Sequence, residues 1–285
     1  MSNEVAKVVN LPSMPVMMSS EKYHAHPAVS KTTLDMIRSD PHAVAWSKQC
    51  KQDEEKMKTL DFGDAMHAIC LEPDRLKSEF VAMPELDLRT NAGKAAKADF
   101  EASNADKKIL TADEYKKLVL MFDSVMAHPQ ARKLLEADGV CEGSYFWRDK
   151  ETGIDCKCRP DKEIESRGLL VDVKTTDSLK KFCYSVEDYR YFVQDPFYCD
   201  GVGHFKDNPE MLFLVIQKTI DCGRYPVHVW RLPEEAIIEG RKQYRSDLNK
   251  YKRFLDAGKP TEHYDELIMH YRFINMCMEG MEISI

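Results

Sequence analysis

Apolar positions recur every three or four residues through the first half of the chain and switch to strict alternation near Glu142. Helices are therefore expected first and strands second. Residues 1–20 hold no sustained period and end in small polar residues, which predicts a flexible tail ahead of one domain over 21–285. Ordered structure should begin near Tyr23, with Ser30 as N-cap of a helix through Ile37. A stripe of Phe62, Ala65, Met66, Ile69 and Cys70 predicts a helix over Asp61–Leu71, ended at Glu72-Pro73, with His67 on its flank. Residues 84–110 look loop-rich and then helical from Gly93. Thr111 and Glu114 form a capping box for a helix to Met126, and a short helix after His128-Pro129 runs to about Ala137.

Alternation over Gly143–Arg148 and Ile154–Arg159 predicts a hairpin across 149–153, followed by a strand over Leu169–Lys174. A helical segment over Ser178–Val202 separates it from strands at Met211–Gln217 and Val227–Leu232. Pro233 opens a helix from Glu234 to Ala257, stopped by Gly258 and Pro260, and Thr261–Met278 reads as a last helix. The fold class is α/β, a mixed central sheet of about five strands flanked by helices, its first strands antiparallel.

Composition narrows the setting. The chain has 285 residues, 43% of them hydrophobic and 31% charged, enough to bury a core. Neither a membrane-length apolar run nor a signal-peptide start is visible, and nine cysteines lack a disulfide-framework spacing. A cytoplasmic protein with reduced thiols and no membrane partner is expected. The net charge of −7 argues against a non-specific nucleic-acid binder, but a confined basic groove stays compatible with it. Arg89, Lys94, Lys97, Lys107 and Lys108 form either a solvated face or a DNA-facing arm.

The chemistry concentrates at Asp172 and Lys174. Two residues apart on an apolar strand, they share one face, where two buried charges are costly unless paired or holding a metal. Asp161 can converge on the same point across a turn. A salt-bridged strand end is the plain reading; two carboxylates and a lysine at a sheet edge also suit a magnesium-dependent phosphodiesterase. Tyr191, Gln194 and Tyr198 share a helical face that could brace the lysine or touch DNA, although Pro196 between them threatens a kink.

Five ordered segments, Y-H-A-H-P-A-V-S-K-T-T-L (23–34), H-A-I-C-L-E-P (67–73), C-K-C-R-P-D (156–161), V-D-V-K-T-T (171–176) and Y-R-Y-F-V-Q-D-P-F-Y (189–198), carry a resemblance. Over roughly 23–255 the chain resembles the exodeoxyribonuclease VIII (RecE-type) family of the PD-(D/E)xK nuclease superfamily. The resemblance implies that Asp161 and Asp172 are metal-binding carboxylates, His67 a further ligand and the Val173 carbonyl an additional oxygen. It makes Lys174 the catalytic lysine, matches Gln194 and Tyr198 to a Q-x-x-x-Y motif, and leaves Glu142 as a second-tier neighbour. Ser30, Lys31 and Arg159 are candidates for holding a 5′-phosphate.

The implied activity is Mg²⁺-dependent 5′→3′ digestion of linear double-stranded DNA, with Mn²⁺ as a substitute. The 3′ tail would pass to a single-strand-annealing, RecT-like recombinase. The family's ring assembly would line a channel with cations and keep the exterior acidic. No iron–sulfur cluster is expected, because Cys156 and Cys158 have no following C-x-x-C and Cys277 stands alone. The competing readings are a site-specific or structure-specific endonuclease on the same core, and a non-catalytic DNA-end or recombinase-binding module.

Overall fold

A computed structural model describes residues 15–47 and 54–258. Three short helices open it, α1 (Ser20–Ala25), α2 (Lys31–Ser39) and α3 (Ala43–Trp46). Then come α4 (Glu54–Leu71), α5 (Pro73–Glu79), β1 (Phe80–Ala82), α6 (Asn91–Ser103), β2 (Lys108–Leu110), α7 (Ala112–Ala127) and α8 (Pro129–Glu136). The strand-rich half holds β3 (Val140–Cys141), β4 (Tyr145–Arg148), β5 (Asp155–Cys158), β6 (Lys162–Ile164) and β7 (Leu169–Thr176). It closes with α9 (Phe182–Asp188), α10 (Tyr191–Val202), β8 (Glu210–Gln217), β9 (Val227–Trp230) and α11 (Glu234–Asp256).

The molecule is α/β, with a mixed five-stranded sheet in the order β3-β6-β7-β8-β9. Its membership differs from expectation. The predicted hairpin forms as β4 and β5, but as a separate two-stranded sheet packed against α10. Its places in the main sheet belong to β3, only two residues long, and to β6, three residues of which two are charged, and neither reads as a strand. Lys162 and Glu163 are buried in β6 because each has a partner: Lys162 Nζ donates to the Leu135 carbonyl at 2.7 Å, and Glu163 accepts from the Tyr145 hydroxyl.

Two cores cover the sheet. On one face Val171, Val173, Leu212, Leu214 and Ile216 pack with α4, α7 and α8. On the other, Leu170, Phe213 and Val215 pack with α2, α9, α10 and α11. Asp172 and Lys174, in step with Leu170, face this second layer.

The segment expected as one helix over 178–202 breaks at Arg190, which is left-handed at φ 52°. Pro196, by contrast, lies inside an unbroken α10. Proline cannot donate to the Phe192 carbonyl one turn back. Gly240 of α11 lies against that carbonyl so closely that a Cβ there would fall 1.7 Å from its oxygen. Glycine therefore lets α11 cover the site of the missing bond.

Of the stretch expected as a tail, Val16 pairs with Ser144 and Ser19 caps α1. Residues 1–14, the helix expected over Thr261–Met278 and Cys277 lie outside the described residues. Among the described residues no helix is long and apolar enough to cross a membrane.

Candidate active site

The site forms where β7 loses its neighbour. β7 pairs with β8 over its whole length, but with β6 only from Leu169 to Val171. Beyond that point an amide edge would be left open. Asp161, just ahead of β6, fills it: the Val173 amide donates to Asp161 Oδ2 at 2.6 Å. The amide and carbonyl of a strand residue point to the same side, so the Val173 carbonyl faces this edge as well. The Asp161 carbonyl in turn accepts the Glu142 amide at 3.1 Å.

Helix α4 brings His67 from one face of the sheet, its Nδ1 3.2 Å from Asp161 Oδ2. Glu142 follows β3 in a left-handed conformation at φ 54°, a cost that a residue with a Cβ incurs only when its surroundings hold it there. One ligand atom each from His67, Glu142 and Asp161 falls within 4.8 Å of the others.

Burial, the Asp161 charge and the Glu72 charge push the Glu142 carboxyl up to about 8, against a smaller opposing pull from Arg159. Burial pushes the Asp161 carboxyl up to about 6, with Asp172 adding to it and His67 and Lys174 opposing. Crowded carboxylates that resist ionising are what a cation relieves.

Asp172 is buried and is not one of these three groups. Its Oδ1 accepts from Gln194 Nε2 on α10, and its Oδ2 meets Lys174 Nζ at 2.5 Å without a hydrogen bond of good geometry. Burial alone would lower the Lys174 pKa, but Asp172, Tyr191 and Asp161 hold it above the ordinary ammonium range. Lys174 is thus a cation here, suited to orienting an anion or a water rather than to taking a proton.

An oxygen-rich set with one imidazole suits a hard divalent ion such as Mg²⁺ or Mn²⁺. Glu142 groups with His67 and Asp161, while Asp172, bonded by Gln194 and paired with Lys174, keeps a buried Oδ2 without a hydrogen-bond partner, an oxygen open to the same cation.

Tyr198 lies one turn beyond Gln194 and lines a cleft of about 420 Å³ beside Glu142. Ser30, Lys31 and Arg159 line the same cleft, together with Lys157, His24 and His26. Each of the three expected phosphate ligands already has work within the chain. Ser30 Oγ accepts the Thr33 amide at 3.3 Å, and Lys31 pairs with Asp35 at 2.7 Å. Arg159 donates to Ser144 Oγ and to the Met18 carbonyl, both at 2.9 Å. Lys157 donates to the Tyr23 and His26 carbonyls at 2.5 and 2.8 Å. Lys31, Lys157 and Arg159 thus bring three cations to the cleft, with Glu142, 3.7 Å from Arg159, as an acid among them. Burial, then Lys157, lowers the pKa of both His24 and His26.

The arm of cations has a plainer role where partners are visible. Arg89 pairs with Asp87, Lys97 with Glu101, and Lys108 with Asp64. Cys156 and Cys158 are buried in β5 within the second core layer. Arg190 and Lys157 lie within two of the quoted motifs, yet the sequence assigns them no role, because their roles depend on backbone shape and on carbonyls remote in sequence.

The family described as "PDDEXK-like domain of unknown function (DUF3799)" matches residues 30–263. Among solved structures, a "Putative exonuclease" from Eubacterium rectale is similar in fold, with a TM-score of 0.58 and 11% identity. The likeness covers 88% of this chain and 91% of that one. No curated protein matches the sequence. Both findings fit the PD-(D/E)xK superfamily, while the narrower likeness to exodeoxyribonuclease VIII rests on the motifs alone. The chain belongs to the DUF3799 family of PDDEXK-like domains.

Proposed function

We propose that the protein is a divalent-metal-dependent nuclease, working as an exonuclease on linear double-stranded DNA. The observation that carries the reading is the His67–Glu142–Asp161 cluster beside the Asp172–Lys174 pair, with Glu142 lining a cleft that also holds Lys31, Lys157 and Arg159. A bound divalent cation supplies a Lewis acid for the scissile phosphate and a nucleophile at neutral pH. The chain's own residues do the rest. Asp161 holds its position through the Val173 amide, Gln194 fixes the Asp172 carboxylate, and Asp172 keeps Lys174 protonated and aimed. Lys174 then places an ammonium where charge grows on the phosphate oxygens.

The cleft supports end-dependent action. Ser30, Lys31 and Arg159 ring a pocket next to the metal cluster, and a terminal 5′-phosphate suits such a wall. From the motifs, digestion runs 5′→3′ and leaves a 3′ tail for an annealing recombinase, on a ring-shaped homo-oligomer inside the cell.

The test is magnesium-dependent nucleotide release from 5′-phosphorylated, 5′-hydroxyl and covalently closed circular duplexes. Release from the first above the second, and none from the third, is expected. Cutting of the closed circle would replace the exonuclease by an endonuclease, and no release from any would leave a binding module.

A further inference from the structure

The link between α9 and α10 carries an aromatic ring that the proposed chemistry does not use. Tyr189 is 62% exposed. Its backbone is nevertheless fixed. The next residue, Arg190, is left-handed and pairs with Asp35 of α2 at 3.0 Å and with Asp247 of α11 at 2.5 Å. The Tyr189 carbonyl accepts from Lys31, and its amide donates to the Ser185 carbonyl at 3.0 Å. Three helices thus hold one exposed tyrosine in place.

Beneath it runs a ladder of rings. Tyr189 stacks on Tyr191 with centroids 5.7 Å apart and planes 27° apart. Tyr191 stacks on Phe213 of β8 at 6.0 Å, and Phe213 is buried. The ladder starts in the core and ends at the outer face of Tyr189. Its middle rung also contacts the candidate active site: Lys174 Nζ lies 4.6 Å from the Tyr191 centroid, and Lys31 Nζ lies 6.0 Å from it.

Single exposed aromatic residues are common and need no ligand. That explains an exposed ring. It does not explain why a strained arginine anchors it, or why its stack leads to the lysine.

We propose that Tyr189 is the outer plate of a nucleobase-stacking subsite, taking the base of a nucleotide whose phosphate lies at Lys174 and Lys31. The proposal rests on the nuclease reading and adds what that site grips besides phosphate. Every base has a π face, so such a plate holds a strand without selecting sequence. A base reaches an external ring only after leaving its own stack, so the subsite favours an unpaired end nucleotide over a paired one.

The experiment measures binding of a linear duplex, without divalent cation so that the DNA stays intact, to the full chain and to Tyr189→Ala, Tyr189→Phe and Tyr189→Trp. The duplexes carry an abasic site at each of the terminal positions in turn. Tyr189→Ala should bind the intact duplex about tenfold more weakly, and the Phe and Trp variants as tightly as wild type. At one position, loss of the base should cost the wild type the same factor and cost Tyr189→Ala nothing. Unfolding midpoints for all four should agree, since the ring is exposed.

An alanine variant that binds as wild type, a penalty equal at every position, or a phenylalanine variant as weak as alanine would overturn the subsite. Magnesium-dependent hydrolysis of the same duplex is read separately. Hydrolysis without the position-specific loss rejects the stack and leaves the nuclease. The position-specific loss without hydrolysis rejects the nuclease and leaves the stack. No binding and no hydrolysis by the wild type rejects both.

Discussion

The two sides of β7 are built for different purposes. Towards β8 the strand makes eight paired positions, all in register, with apolar side chains alternating into two cores. Towards β6 it makes three, and then the ladder stops. Two residues past the last pair, at Val173, a carboxylate takes the amide that a neighbouring strand would have bonded. The complete side stabilises the sheet. The incomplete side frees one edge, to which α4 delivers an imidazole from one face and α10 an amide from the other. A sheet that continued pairing would be more regular and would have no room for the acidic cluster.

Substitutions should separate the two sides. The largest effect is expected for Asp161→Asn. Asparagine keeps an oxygen for the Val173 amide but removes the charge, so nuclease activity should fall about a thousandfold with no loss of stability. A large loss of stability in that variant would show that the charge, and not the filled edge, supports the strand. On the other side, Leu214→Ala empties a fully buried position in β8. It should cost ~2–5 kcal/mol of stability in denaturant unfolding, with activity per folded molecule unchanged.

Gly240→Ala tests how α10 is held. The new Cβ would meet the Phe192 carbonyl, so α11 must shift. A loss of ~1–3 kcal/mol is expected, together with a drop in activity, because α10 also carries Gln194. Activity unchanged alongside the lost stability would uncouple the helix from the site.

The smallest effect concerns pH. Burial pushes the Asp195 carboxyl on α10 up to about 7 from its ordinary 3.8. Between those values the folded protein binds a proton that the unfolded chain does not, so this group lowers stability progressively as pH rises towards 7. Asp195→Asn should therefore raise stability by ~1–3 kcal/mol at pH 8 and by less at pH 5. An equal gain at both would assign the effect to packing.

Legibility followed the same division. β7, β8 and β9 announced themselves as apolar runs, and the capping box at Thr111 and Glu114 placed α7 to within a residue. Asp161, Asp172, Lys174, His67 and Gln194 could be picked from motifs because residue type and order carry them. What stayed hidden depended on distant partners. β6 looks like a turn until Lys162 and Glu163 are seen with Leu135 and Tyr145. The left-handed backbone at Glu142 and Arg190 has no local signal such as glycine. Hence the motifs rank Glu142 below Asp172 as a ligand, and we propose the reverse order from its grouping with His67 and Asp161.

That reversal is the most direct point of test. Calorimetric titration of Mn²⁺ should show one tight site per chain in the wild type. The site should be lost in Glu142→Gln and His67→Ala and largely kept in Asp172→Asn. Binding lost in Asp172→Asn but kept in Glu142→Gln would contradict the assignment of the metal to His67, Glu142 and Asp161.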